Sequence, residues 1–226
     1  MKLLVSIIIL VIFAPGIHPS KEDVQGAWKS DSGVLVIANG YFSYCKFDKS
    51  SFHFTYGGSV TIEKDQIIFG YEFHTKDSTK VGTSETIALK LKSGELSIGD
   101  LTFERLDDGT PGKLFGAWLF TNRERDGSMG TPRSADEPRK TLKILSGTRF
   151  QWIAYNVDTK QFMGTGGGTY TTENGKYTEN IDFFSRDQSR VGASLEFNFE
   201  IVGSEWHHKG KSSKGDPMYE IWTMRE

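Results

Sequence analysis

Shifted by 110 positions, this chain lies on itself without a gap: YGGSVTIEKDQIIFGYEFHTKDSTKVGTSETIALKL, residues 56–91, matches GGGTYTTENGKYTENIDFFSRDQSRVGASLEFNFEI, residues 166–201. Identities fall at Gly57/Gly167, Gly58/Gly168, Thr61/Thr171, Glu63/Glu173, Phe73/Phe183, Asp77/Asp187, Val81/Val191, Gly82/Gly192 and Ser84/Ser194. Glu72/Asp182, Lys76/Arg186 and Lys80/Arg190 add like-charge matches. Alternation could align two unrelated β segments, but it gives them no reason to share the turn residues between strands. The chain therefore reads as a duplicated unit. Each copy opens on one phrase, Gly26-Ala27-Trp28 and Gly116-Ala117-Trp118, and each ends near an arginine, Arg105 or Arg225.

The period within each copy is two. Ile67, Phe69, Tyr71 and Phe73 alternate with Ile68, Gly70, Glu72 and His74, and Leu195, Phe197, Phe199 and Ile201 alternate with Glu196, Asn198 and Glu200, the pattern of half-buried strands. Asn39-Gly40 and Asn174-Gly175 are hairpin signals, because both residue types tolerate positive φ. The 13% aromatic content, with 25 glycines against 6 prolines, suits short strands and tight turns. After the N-terminal segment no amphipathic helix is evident. About eight short strands per copy can close into a barrel and remove their edges. The expected organisation is all-β: a first barrel over 26–106, a turn-rich linker over 107–113 (DDGTPGK) and a second barrel over 114–226.

Lys2 precedes an apolar run from Leu3 to Phe13, and the breaker-rich APGIHPS follows. This is the layout of a secretory signal peptide, so residues 1–20 are expected to be removed and the product to be secreted or periplasmic, with no membrane span after cleavage; an uncleaved anchor is the alternative, because APGIHPS offers no clean A-x-A site. The single cysteine, Cys45, excludes an internal disulfide and reads as a small buried hydrophobe. With 27 basic against 29 acidic residues, no basic field exists to hold nucleic acid or an anionic membrane.

The Gly-x-Trp at the start of each copy with an arginine on its last strand resembles the lipocalin and calycin pattern, in which the Trp closes one barrel end and the Arg packs on its face. Trp28 with Arg105 and Trp118 with Arg225 carry that likeness. RFQWIAYN, GGGTYT, YTENIDFF, WHHKG and EIW in the second copy also resemble secreted bacterial lipocalin-like proteins of unassigned function. The resemblance implies two tandem up-and-down barrels. It further implies that TNRERDGSMGTPRSADEPRK, Thr121 to Lys140, is a lid over the second cavity, since in lipocalins the connection after the first strand crosses the mouth. The first copy has only SDSG there.

The copies differ inside. Val60, Ile67, Phe69 and Ile98 of the first correspond to Tyr170, Tyr177, Glu179 and His208 of the second. Strand parity places Glu179 on one face with Tyr177, Ile181 and Phe183, and His208 on one face with Trp206, both expected to point inward. A buried Glu needs a partner, for which His208 and the two tyrosines qualify by type. Phe150 and Trp152, counterparts of Phe42 and Tyr44, would line the apolar side. The expected ligand site is thus Phe150, Trp152, Tyr170, Tyr177, Glu179, Trp206 and His208, holding a small apolar or amphipathic molecule, with no cofactor, no metal and no catalytic residue. His207 and His208 point to opposite faces and cannot readily chelate one ion. GTGGG, Gly164 to Gly168, leads into a strand rather than a helix and reads as a kink or bulge. Two alternatives stand beside the binding protein: an envelope interaction module with filled barrels, and a haem-binding or isomerase-type barrel enzyme using Glu179 and His208. On the binding reading, Glu179→Phe with His208→Ile should abolish binding and leave the fold intact.

Overall fold

The computed structural model describes residues 18–31, 33–49, 51–212 and 215–225. The expected signal segment lies outside them except for its last three residues. A one-turn helix α1 (Lys21–Val24), capped by Ser20, leads into β1 (Gly26–Ser30), β2 (Gly33–Ala38), β3 (Tyr41–Phe47), β4 (Phe52–Glu63), β5 (Gln66–His74), β6 (Ser84–Lys92), β7 (Glu95–Ile98) and β8 (Leu101–Asp107). Then come β9 (Gly116–Arg125), β10 (Ser128–Met129), β11 (Arg139–Leu145), β12 (Arg149–Asn156), β13 (Gln161–Glu173), β14 (Lys176–Phe184), β15 (Ser194–Val202), β16 (Glu205–Lys211) and β17 (Pro217–Met224). β1 to β8 form a closed antiparallel barrel in sequence order, and β9 with β11 to β17 form a second, closed by β9 pairing with β17. The two-residue β10 folds back on the end of β9. Thr121 to Arg125 therefore extend β9, Ser128 and Met129 form β10, and Arg139 and Lys140 open β11, which leaves 126–127 and 130–138 of the insertion as loop.

The hairpins form where positive φ is cheap: Asn39-Gly40 has φ of 51° and 81°, and Asn174-Gly175 has 50° and 76°, the type I′ signature. The paired glycines do a different job. The β4–β5 register shifts between Gly57 and Gly58, and the β13–β14 register between Gly167 and Gly168. A Cβ on Gly168 would lie 2.0 Å from the Asn180 carbonyl oxygen, so only glycine lets the strands approach at this bulge, which answers the expectation for GTGGG. The bulge also reverses strand parity. Beyond it Phe184, not Phe183, stays inside the second barrel against Trp152, at 5.4 Å between rings. Phe183 turns out onto Phe47 of the first barrel, 4.6 Å away. The expectation that Phe183 shares the inward face of Glu179 is corrected accordingly.

The two barrels pack through equivalent faces in reciprocal contacts. Phe73 meets Tyr155 at 5.1 Å as its counterpart Phe183 meets Phe47, the counterpart of Tyr155. Phe52 meets its own counterpart Phe162 at 6.2 Å. Gln151 Nε2 donates to Thr55 Oγ1 and to the equivalent Thr165 Oγ1, each at 2.9 Å. Ala27 and Ala117, the middle letters of the repeated phrase, are both fully buried in this shared core with Val36 and Ile144. The tryptophans instead enter the barrel interiors, where Trp28 Nε1 donates to the Val24 carbonyl at 2.8 Å and Trp118 Nε1 to the Leu114 carbonyl at 2.9 Å.

Arg105 covers Trp28, with its guanidinium carbon 3.9 Å from the ring centroid. Arg225 does not cover Trp118. Trp28 pairs with Arg105 in β8, whereas Trp118 pairs with Met224 in β17, so Arg225 lies one residue late and faces the other way. It crosses to the first barrel, stacking on Tyr41 at 4.2 Å and holding Glu72 through two bonds of 2.7 and 2.8 Å. Tyr155 donates to the same carboxylate at 2.5 Å. The connection between barrels is anchored as well. The Asp107 carboxylate accepts from Thr148 Oγ1, Ser146 Oγ and the backbone N–H groups of Gly147, Thr148 and Gly109, at 2.6 to 3.0 Å.

Candidate functional site

Register pairs define which residues are equivalent across the barrels and extend the comparison beyond a fixed offset. Trp28 pairs with Leu35 and Trp118 with Lys143, so Lys143 replaces Leu35. Ile98 pairs with Leu101 and His208 with Glu220, so Glu220 replaces Leu101. Tyr44 pairs with Tyr56 and Trp152 with Gly166, so Gly166 replaces Tyr56; Gly164 likewise replaces Phe54. In the first barrel Tyr44 and Tyr56 stack at 5.0 Å, and Phe54 and Tyr56 at 6.2 Å. In place of the Tyr56 ring, Trp152 and Phe184 close over Gly166, where a Cβ would lie 2.7 and 2.8 Å from them. The second barrel contains a cavity of about 300 Å³, the first one of about 60 Å³.

The wall of the larger cavity is apolar, with Trp152, Ile181, Phe184, Leu195, Phe197 and Met218 among its lining, and Arg190 and Ser212 also border it. Its floor is a polar layer of Lys143, Glu179, His208 and Glu220. These four sit inward because each lies two residues from a buried partner on its own strand: Leu145, Tyr177, Trp206 and Trp222.

Lys143 is 4% and Glu179 5% exposed, and Lys143 Nζ lies 2.7 Å from Glu179 Oε1. Tyr177 donates to that same oxygen at 2.8 Å, and burial beside Glu179 pushes the phenol's pKa well up. The ammonium also rests among aromatic rings, 4.9 Å from Trp222, 5.0 Å from Trp206 and 5.3 Å from Tyr177, a cation–π environment that partly replaces lost hydration. The pair is thus compensated in the way a buried ion pair requires.

His208 is 2% exposed, and burial, reinforced by Lys143, holds its pKa below the usual range. The imidazole is therefore neutral at pH 7. Its Nδ1 lies 3.7 Å from Glu220 Oε2, too far for a hydrogen bond. Neither ring nitrogen has a hydrogen-bond partner among the described residues. Burial opposes the charge of Glu220, but His208, Lys143 and Arg123 together hold its pKa below the ordinary carboxylate value, and Arg123 pairs with it at 3.0 Å. A buried neutral imidazole offers one donor and one acceptor, and leaving both unmet is costly. A guest carrying a hydroxyl, amide or similar group would meet them.

Of the seven residues expected from sequence, Trp152, Glu179 and His208 line the cavity. Phe150, Tyr177 and Trp206 are in the buried cluster packed around Lys143. Tyr170 is in that cluster too, but its hydroxyl donates to the Ser146 carbonyl at 2.5 Å rather than to Glu179. Nor is His208 bonded to Glu179; that carboxylate's cationic partner is Lys143. Both Lys143 and Glu220 are absent from the sequence expectation, although the 108-residue offset that aligns Phe42 with Phe150 also aligns Leu35 with Lys143. His207 faces away from His208, its Nδ1 2.7 Å from the Tyr219 hydroxyl. Among the described residues no group of three His, Cys, Asp or Glu is placed to hold a metal ion. Cys45 is buried, and that burial pushes its thiol pKa well up. No protein-family model and no curated protein matches the chain.

Proposed function

We propose that the protein is an exported, lipocalin-like binding protein whose second barrel holds one small, partly apolar molecule, while the first barrel serves as its scaffold. The observation that carries this is the asymmetry of two otherwise equivalent barrels. The cavity of about 300 Å³ occurs where the apolar residues Leu35, Phe69, Ile98 and Leu101 of the first barrel are exchanged for Lys143, Glu179, His208 and Glu220, all four of which line it. Binding sites commonly combine an apolar wall with a few polar groups that fix orientation. Export is supported by the apolar run behind Lys2, and the lipocalin likeness by Arg105 on Trp28.

Two measurements test the reading. Native mass spectrometry of protein purified from its own host is expected to show a co-purifying small molecule. The variant Lys143→Leu/Glu179→Phe/His208→Ile carries the first-barrel residues and is expected to fold and to lose binding of N-phenyl-1-naphthylamine, a neutral probe that fluoresces in apolar cavities. A folded variant that binds the probe as wild type does would place the site elsewhere and refute the assignment. Glu179→Phe with His208→Ile alone strands the Lys143 ammonium and is expected to be less stable than the triple variant.

A further inference from the structure

The insertion peculiar to the second copy brings four arginines to one wall beside the cavity. Arg123 and Arg125 end β9, Arg133 lies in the loop, and Arg139 opens β11. With Phe120, Thr141, Glu220 and Trp222 they line a second hollow of about 250 Å³. Thr141, Glu220 and Trp222 also line the main cavity, so the two spaces adjoin at these residues. The guanidiniums of Arg133 and Arg123 lie 5.2 and 5.8 Å from the Phe120 ring, and Arg133 is fixed further by its backbone N–H to the Thr121 carbonyl at 2.8 Å.

The charge here is unbalanced. Among the described residues Glu220 is the one carboxylate lining the hollow, and it is engaged by Arg123 at 3.0 Å. Glu124 and Asp216 border the adjoining groove on the far side of Arg123 and Arg125. Among the described residues no carboxylate pairs with Arg125, Arg133 or Arg139. Three uncompensated guanidiniums converging beside an apolar cavity favour an anion, because each presents a planar fork that matches carboxylate, phosphate or sulfonate oxygens. Among the described residues the first barrel, which lacks the insertion, has no counterpart to this wall.

We infer that the guest of the second barrel is an amphipathic anion, its apolar body in the cavity and its negatively charged group against Arg125, Arg133 and Arg139. The inference rests on the cavity-binding reading above and adds the ligand's charge. It also assigns the insertion a recognition role in place of a simple lid.

The test uses two probes with one ring framework. N-phenyl-1-naphthylamine is neutral, and 8-anilinonaphthalene-1-sulfonate adds a sulfonate. Both are titrated by fluorescence into wild type and into Arg125→Gln/Arg133→Gln/Arg139→Gln, which leaves the Arg123–Glu220 pair intact. The sulfonate probe is expected to lose about tenfold in affinity, the combined scale of three exposed ion-pair contributions, while the neutral probe changes by less than about twofold. The unaltered neutral probe also shows that the variant is folded. Raising the salt concentration should weaken the sulfonate probe alone. Inorganic phosphate should displace it only at far higher concentration, because it lacks the apolar body. If both probes bind and the variant holds the sulfonate as tightly as wild type, the anion inference falls and the cavity reading stands. If phosphate competes as well as the tailed anion, the arginines form a separate anion site and the inference falls. If neither probe binds wild type, both readings fall.

Discussion

Glu179→Ala should destabilise the protein far more than its removal of one carboxylate suggests. In the native state Glu179 is 5% exposed, takes Lys143 Nζ at 2.7 Å and accepts from Tyr177 at 2.8 Å. Truncation leaves an ammonium without its counter-ion and a buried phenol without its acceptor. Breaking a buried pair from one side costs about 3–5 kcal/mol. The cavity above Lys143 lets water approach the stranded group, and the surrounding rings retain part of its stabilisation, which places the loss near the lower end, at about 3 kcal/mol. The barrels share a core, so they should melt together as a unit of more than 150 residues, for which 1 kcal/mol shifts Tm by about 2–4 °C. The expected drop is therefore about 6–12 °C. Lys143→Leu/Glu179→Phe/His208→Ile should behave differently, because it removes both charges and installs residues that pack in the first barrel, where Phe69 meets Phe42 at 4.2 Å. Replacing a buried ion pair by packed apolar groups is often neutral or stabilising, and the Tyr177 hydroxyl is the one buried group left without its acceptor, so the triple variant's Tm should lie well above that of Glu179→Ala. Glu220 keeps Arg123 in that variant. Circular dichroism melts of the three proteins decide the matter. A Tm for Glu179→Ala within about 2 °C of wild type, or a triple variant less stable than the single one, would refute the account of the polar layer.

Trp118→Ala should cost about 3–5 kcal/mol by urea denaturation, because the ring is 2% exposed, packs 5.7 Å from Trp206 and bonds the Leu114 carbonyl; an unchanged midpoint would count against its place in the core. His208 has a native pKa below its unfolded value near 6.5, so the unfolded chain takes up a proton that the native state resists. Its contribution is present above about pH 6.5 and is lost as pH falls from there through the native pKa. Stability of wild type should fall in that window more steeply than that of His208→Asn. Burial opposes the charge of Asp107, yet Thr148, Ser146 and two backbone amides hold its pKa below 3.8, so its contribution is present above about pH 3.8 and is lost as pH falls through the native pKa. Asp107→Ala should flatten the acid limb of the denaturation curve measured between pH 5 and 2.

Much of the architecture was written in local chemistry. Asn-Gly pairs fixed hairpins, alternation fixed which of Tyr177, Glu179 and Ile181 face inward, and the shared glycines marked bulges. Strand parity does not carry through those same bulges, because one extra residue at Asp182 exchanges the destinations of Phe183 and Phe184. Arg225 failed for a related reason: it lies one residue beyond the register of Arg105, which sends it to Glu72 instead of Trp118. Lys143 was hidden differently. It lies in a strand whose residues 142–145 are all buried, and the insertion after Trp118 makes the offset between the copies 108 here, so the shift of 110 that shows the repeat lays Lys143 on Gly33 rather than on Leu35. The arginine wall was illegible because its members, at 123, 125, 133 and 139, follow no regular spacing, and only the folding of the insertion between β9 and β11 sets them round one hollow.

The distribution of identity between the halves follows from how they pack. The matched turn caps recur in place: Asp77 accepts from the Thr79 N–H at 3.0 Å and Asp187 from the Ser189 N–H at 3.1 Å. The matched glycines sit at the bulges, and the matched Phe73 and Phe183 occupy reciprocal positions in the inter-barrel core. A two-fold-like interface meets each change on one barrel with the same surface of the other, so these positions are constrained in pairs. Barrel interiors carry no such coupling. Phe69 can fill the first barrel while Glu179 sits in the second, provided that Lys143 appears opposite it. The polar substitutions are therefore mutually dependent: Glu179 without Lys143, or Lys143 without Glu179, would bury a lone charge at a cost comparable to a large fraction of a domain's net stability of about 5–15 kcal/mol. A shared scaffold held by one conserved face, with one interior left free to exchange a compact set of side chains, explains how two barrels with one fold come to differ in the space they enclose.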